Sequence, residues 1–315
     1  MDRVLNKLRD QADRARGGTI GGVRILAGLM WLANLHWKVP GNFGESTNSG
    51  LYKYAAAGAS NAPLAPYRWF LREVVLPNFQ VFGWFTLISE TVVAALLIIG
   101  YRTRIVAFAG ALMAIPIGLS VIYFPRADEW AWSYLLMIGL HLLLWAVPAG
   151  EHIGLDGVLA DSSDARVGSS LRVFGICTTV IGVAGLFVAR SLDFAGDASA
   201  LLGSDSGFRN ADGGITRRWE LKFLWFNPLW ALLTIAFGVL IIVGSKHLVA
   251  AYVAAAGLAA TAVAVFVQQT FDYVRDDGSV QVVATASNVA FWGGVALATA
   301  LLARRLQRVG RSAES

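Results

Sequence analysis

Three side chains able to carry charge or move a proton stand inside stretches that are otherwise apolar enough to cross a bilayer: Arg24, Glu90 and His141. A charge at mid-bilayer costs at least about 2.5 kcal/mol on insertion scales, so such residues face the protein interior and have partners. At about 1.5 Å of rise per residue, Glu90 lies some 15 Å from Gly100, and Arg24 and His141 each lie about two turns from the ends of their own stretches. These depths predict a cluster in which the Arg24 guanidinium makes a bidentate bond to Glu90. Glu90 and His141 are then the candidate catalytic, proton-exchanging groups. Arg24 is a candidate cofactor-binding residue, together with Trp31 on its own helical face and Tyr134 and Trp145 on the face of His141, whose rings are placed to sandwich a flat ligand. The competing reading is architectural: a buried Arg–Glu pair that fixes helix register, and a histidine hydrogen-bonded in a core.

Other chemistries are narrowed by what the chain contains. The single cysteine, Cys177, allows neither an internal disulfide nor a paired-thiol motif. His36, His152 and His247 stand near the ends of apolar stretches, so a haem held by two intramembrane histidines is not expected, nor is a metal. The formal net charge of +5 comes from basic residues at helix ends and tails, where they set topology or meet anionic lipid, so nucleic acid is not an expected partner. The outer cluster His36, Trp37, Lys38 and Glu45 reads as interfacial anchoring.

The elements that must position these residues follow from the hydrophobic pattern. With 56% hydrophobic and 15% charged residues over 315 positions, the chain is too apolar for a soluble domain. A window of about 19 residues gives eight spans: Thr19–Trp37, Phe79–Gly100, Ile105–Tyr123, Trp130–Val147, Leu171–Ala189, Leu229–Val243, Leu248–Phe266 and Val283–Ala303. The fold class is all-α, a polytopic membrane protein. Lys and Arg concentrate in both tails and in the hinges after the second and sixth spans, which predicts a multi-pass protein of a prokaryotic plasma membrane with both termini cytoplasmic. Two long polar connections then lie outside, ending in YRWFLREVVLP and RRWELKFLWFNP, and both endings read as interfacial helices.

Aligning Gly100 with Gly244 sets LLIIGYRTRIVAFAGALMA beside VLIIVGSKHLVAAYVAAAG, so the chain reads as two tandem four-span units. The expected domains are a cytoplasmic tail (1–18), a first four-helix unit (19–149), a cytoplasmic linker (150–170), a degenerate second unit (171–303) and a second tail (304–315). The halves differ chemically, because Thr234 stands where Glu90 does in the first. Any site belongs to the first half.

Arg24, Lys38 after LHW, Glu90 in SETVVAALLIIGYRTR with Gly100 and Arg104, and Leu155 and Asp156 in the closing GEHIGLDGVL together resemble the DoxX/DoxD-like membrane proteins. The resemblance covers about half the chain. It implies a four-helix membrane unit that serves, in several members, as a subunit of a quinone-linked oxidoreductase, the best known being a thiosulfate:quinone oxidoreductase. Quinone is accordingly the expected cofactor, and lipid and a redox or structural protein on the outer side are the expected partners. The alternative is a non-enzymatic scaffold or assembly subunit; a transporter is disfavoured because the repeat lacks paired broken helices.

Overall fold

The computed structural model describes residues 2–35, 38–121, 131–160, 164–195, 198–209, 215–273 and 279–314. The expected span ends at Trp37, Tyr123 and Trp130, and His36 of the outer cluster, lie outside them. The chain divides into two compact units, Met1–Ala160 and Asp161–Ser315.

In the first unit, α1 (Asp2–Ala33) packs along α4 (Phe79–Ile99), and α5 (Thr103–Val121) packs along α6 (Ala131–Ala146), which also touches α1. Small residues bring these helices close. A side chain at Gly28 of α1 would strike Ile98 and the Ala94 carbonyl of α4, and one at Gly110 of α5 would strike the His141 ring of α6. Two short helices, α2 (Gly50–Asn61) and α3 (Ala65–Phe70), form a cap, and α2 packs on α5 with Gly58 against Ser120. From α3 the chain passes through a π-helical turn (Leu71–Val75) and a 3-10 turn (Leu76–Asn78) into α4. The whole run, Ala65–Ile99, has 35 residues. That is well beyond the roughly 20 that span a bilayer, so its first third is available as the cap. The expected helix at YRWFLREVVLP is therefore present as the start of this run. The short helix α7 (Leu155–Ala160) closes the unit.

In the second unit, α8 (Asp164–Ala189) packs on α9 (Pro228–Gly244), and α10 (Leu248–Tyr273) packs on both α9 and α11 (Ser279–Glu314), which also meets α8. Helix α8 begins inside the segment expected to be a linker.

Between α8 and α9 stands an antiparallel hairpin, β1 (Ser199–Arg209) and β2 (Ile215–Phe226), where RRWELKFLWFNP predicted an interfacial helix. Apolar residues in RRWELKFLWF alternate at Trp219, Leu221, Phe223 and Trp225, the period of a strand, and aromatic content favours the same state. The end of β2 is held by α11. Asn288 accepts from the Trp225 amide at 2.8 Å and donates to its carbonyl, and Ser287 accepts from the Leu224 amide. Asn227 then caps α9 by accepting from Trp230 N, with Pro228 at the first helical position.

Among the described residues, five helical segments are long and apolar enough to cross a membrane: Ala65–Ile99, Thr103–Val121, Val167–Ala189, Leu248–Gln268 and Val282–Arg308. The apolar helices Trp132–Ala146 and Pro228–Gly244 are shorter. The protein is a predominantly helical, multi-pass membrane protein that also carries a two-stranded sheet.

Candidate functional site

All the ionisable side chains found wholly buried among the described residues lie in the first unit: Arg24, Lys38, Glu90 and His141. They do not form the cluster expected of them. Arg24 does not pair with Glu90. Its guanidinium donates to the Leu97 carbonyl at 2.6 Å, the Ile98 carbonyl at 3.2 Å and the Ile153 carbonyl at 2.7 Å. The first two are carbonyls of the last turn of α4, where helical donors run out, and Leu97 O also accepts from the Gly100 amide at 3.2 Å. Gly100, at φ +68, turns the chain away and leaves room for the guanidinium, which a side chain there would strike. Asp156 completes this hinge from the other direction. Its two carboxylate oxygens accept from Arg102 N at 2.7 Å and Thr103 N at 2.9 Å, the open amides at the start of α5. Arg24, Gly100 and Asp156 are thus a structural knot that joins α4, α5 and the turn before α7.

Glu90 is paired with Lys38. Lys38 Nζ lies 2.8 Å from Glu90 Oε2, and neither side chain is exposed. Lys38 also donates to the Asn34 carbonyl at 2.6 Å. Lys38, expected to be an interfacial anchor, instead turns inward from the segment that follows α1. A lysine placed just beyond an apolar span has a stem of four methylenes, long enough to carry its ammonium group along the helix.

His141 is occupied at both ring nitrogens. The Trp31 indole N–H, which can only donate, gives its proton to Nε2 at 2.8 Å, so Nε2 is an acceptor and the ring proton sits on Nδ1, 2.7 Å from the Met137 carbonyl. The two rings meet edge to face. Tyr134 is buried against Gly118 of α5, whereas Trp145 is 48% exposed and lies beside Phe108 on the outside of the bundle. Trp31, Tyr134 and Trp145 therefore do not surround a common space.

The space that does exist lies elsewhere. A partly open cavity of about 110 Å³ is lined by α2, the α3-to-α4 run and α5. For scale, an apolar cavity of about 150 Å³ holds one benzene ring. Leu51 and Ala55 contribute from α2, Met113, Pro116 and Ile117 from α5, and Phe82 and Phe85 from α4, and the Phe85 ring is exposed on the outer face of the bundle. Its polar lining is Tyr54, Tyr67, Thr86, Ser120 and Glu90. Tyr67 reaches across from α3 to lie 2.9 Å from both the Pro116 carbonyl and Ser120 Oγ, which ties the cap to α5. Thr86 donates to its own helix at the Phe82 carbonyl. Of the six side chains expected to form the site, Glu90 alone lines this cavity, and its Oε1 is buried without a hydrogen-bond partner. A buried carboxylate oxygen left unsatisfied beside a largely apolar space fits a bound molecule that supplies a donor.

Apart from Glu90, none of the residues around this cavity was expected to belong to the site. A signal was present in Pro116 and Ser120, one helical turn apart, but their partner Tyr67 lies 49 residues upstream of Pro116 in a segment read only as an interfacial helix. In the second unit, Thr234 donates to the Trp230 carbonyl and accepts from the Trp292 indole at 2.9 Å, so a neutral hydrogen-bonded pair stands where the aligned sequence lacks the carboxylate.

No curated protein and no solved structure matches the chain. Residues 57–175, from α2 into α8, match the family model described as TQO small subunit DoxD, which bears out the DoxX/DoxD-like resemblance of the first half of the chain.

Proposed function

We propose that the protein is a quinone-interacting membrane subunit of an oxidoreductase complex in a prokaryotic plasma membrane, and that the cavity above Glu90 is where the quinone ring binds. The observation that carries this reading is Glu90 itself: wholly buried, paired with Lys38 through one oxygen, and with the other unpartnered beside a largely apolar space. The family matched by residues 57–175 is described as a small subunit of TQO, which supports the same class of ligand. A quinone carries electron pairs and protons between a protein donor and the membrane pool. In this chain Glu90 accepts a hydrogen bond, and any proton, from the ligand oxygen, while Lys38 holds the carboxylate in place and balances its charge. Exposed Phe85 marks the side from which a lipid-soluble molecule enters, and the cap formed by α2 and α3 keeps water from the other. A partner protein, docked on the outer connections, exchanges the electrons, and the proton moves with them: to Glu90 when quinol gives electrons to the partner, and from it when quinone receives them.

A second reading, a scaffold or assembly subunit, is favoured by one specific observation: Arg24, Asp156 and His141 all spend their hydrogen bonds inside the fold. Photoaffinity labelling of native membranes with an azidoquinone separates the two. Cross-links within 51–71, 82–90 and 113–121 that excess quinone suppresses are expected. Labelling confined to other segments, or to partner proteins, would overturn the first reading in favour of the second.

A further inference from the structure

The hydrogen-bonding protons around the cavity can be followed one at a time. Tyr67 has a single hydroxyl proton and lies 2.9 Å from a carbonyl, which can only accept, so that proton goes to Pro116 O. Ser120 Oγ, also 2.9 Å from the tyrosine oxygen, must then be the donor in that contact, and its proton is used as well. The Thr86 proton goes to Phe82 O at 2.9 Å. With those three protons used, the lining is left with the Tyr54 hydroxyl and with one buried, unpartnered acceptor, Glu90 Oε1, on a carboxylate whose other oxygen faces the Lys38 ammonium group. An ionised carboxylate accepts and does not donate.

A quinone carbonyl brings only acceptor lone pairs to such a site, and two facing acceptors repel. A quinol brings a hydroxyl proton. We infer that the cavity discriminates between redox states, binding the two-hydroxyl, reduced form of its ring ligand in preference to the dicarbonyl form, with Glu90 Oε1 as the specificity-determining acceptor. This rests on the reading of the cavity as the ligand site and adds which form of the ligand it holds. Hydrogen bonds to a charged acceptor are among the stronger ones, and an acceptor left facing another acceptor loses that gain outright.

The test is binding, measured without turnover. The purified full chain in lipid nanodiscs, under argon, is titrated with decyl-benzoquinol, decyl-benzoquinone and the dimethyl ether of the quinol, followed by quenching of tryptophan fluorescence. The ether keeps the size and apolarity of the quinol but has no O–H. The expected result is that quinol binds roughly tenfold or more tightly than either of the others. Lys38→Met with Glu90→Gln, which leaves no buried charge unpaired, should bring the three probes to within about threefold of one another. Tyr54→Phe should leave the order unchanged, which separates the part played by Glu90 from that of the Tyr54 hydroxyl. Quinone or ether binding as tightly as quinol in the unaltered protein would overturn the inference while leaving the ligand site standing. Binding that persists undiminished when Ala55→Phe fills the cavity, or no binding of any probe, would overturn the site and the inference together.

Discussion

Lys38 Nζ lies 2.8 Å from Glu90 Oε2, with both side chains fully withdrawn from solvent. The two come from the segment that follows α1 and from the middle of α4, so the pair ties that segment to α4 while leaving the second carboxylate oxygen without a partner. Removing one member strands the other's charge. Lys38→Met and Glu90→Leu are each expected to destabilise the protein by about 3–5 kcal/mol, and the two together to recover most of that loss. Denaturant unfolding in detergent reads this directly; additive losses in the double variant would show that the residues do not depend on one another.

Arg24 and Glu90 are, by contrast, separate. Combining Arg24→Leu with Glu90→Leu should give the sum of the single losses, without the rescue expected of true partners. Alone, Arg24→Leu removes three hydrogen bonds to backbone carbonyls, of which Leu97 O keeps the Gly100 amide, and should cost on the order of 3 kcal/mol, with Arg24→Lys recovering only part, since an ammonium lacks the planar fork that reaches Leu97, Ile98 and Ile153 together. A thermal melt of the three proteins checks the order.

His141→Leu removes the acceptor of the Trp31 indole and should destabilise by about 1–3 kcal/mol through the unpaired N–H. Adding Trp31→Phe should lessen that loss. Because His141 does not line the cavity, its replacement is expected to leave quinol affinity within about twofold once the protein is folded. A larger fall in affinity at unchanged stability would move His141 into the binding site.

Orientation in the membrane is checked by single cysteines in a Cys177→Ser background. Sites at Ser60 and Ser206 are expected to react with an impermeant thiol reagent from outside and Ser312 only after the membrane is breached. Outside labelling of Ser312 would contradict the assignment of both termini to the cytoplasm.

Much of the fold was legible because it is written in local pattern. Helices fall where long apolar runs occur, and the left-handed turn at Gly100 ends α4 where the sequence breaks from LLII to YRTR. The hairpin was misread because aromatic and basic residues beside an apolar span suit an interfacial helix, while the alternation that marks β2 runs for only about ten residues. The charge pairing was not legible for a different reason. Depth counted along a helix places Cα atoms, but Lys38 and Arg24 end in flexible arms that can move their charges by a full turn, so the nearest cation by count was not the partner. The cavity depends on Tyr67 meeting Pro116 and Ser120 across two elements, and nothing periodic in either segment announces that contact.

The hinge arginine bears on how the chain is made. Arg24 precedes all of its acceptors in the chain, which arrive 73, 74 and 129 residues later, the last at Ile153 beyond α6. While the nascent chain is threaded into the bilayer, α1 carries a guanidinium with none of its final carbonyl partners. The Leu97 and Ile98 carbonyls arrive with the end of α4, and the set is complete only when the turn containing Ile153 has followed. Chains cut before that point should release α1 from the bilayer, or hand it to whatever chaperone waits there, and longer ones should hold it.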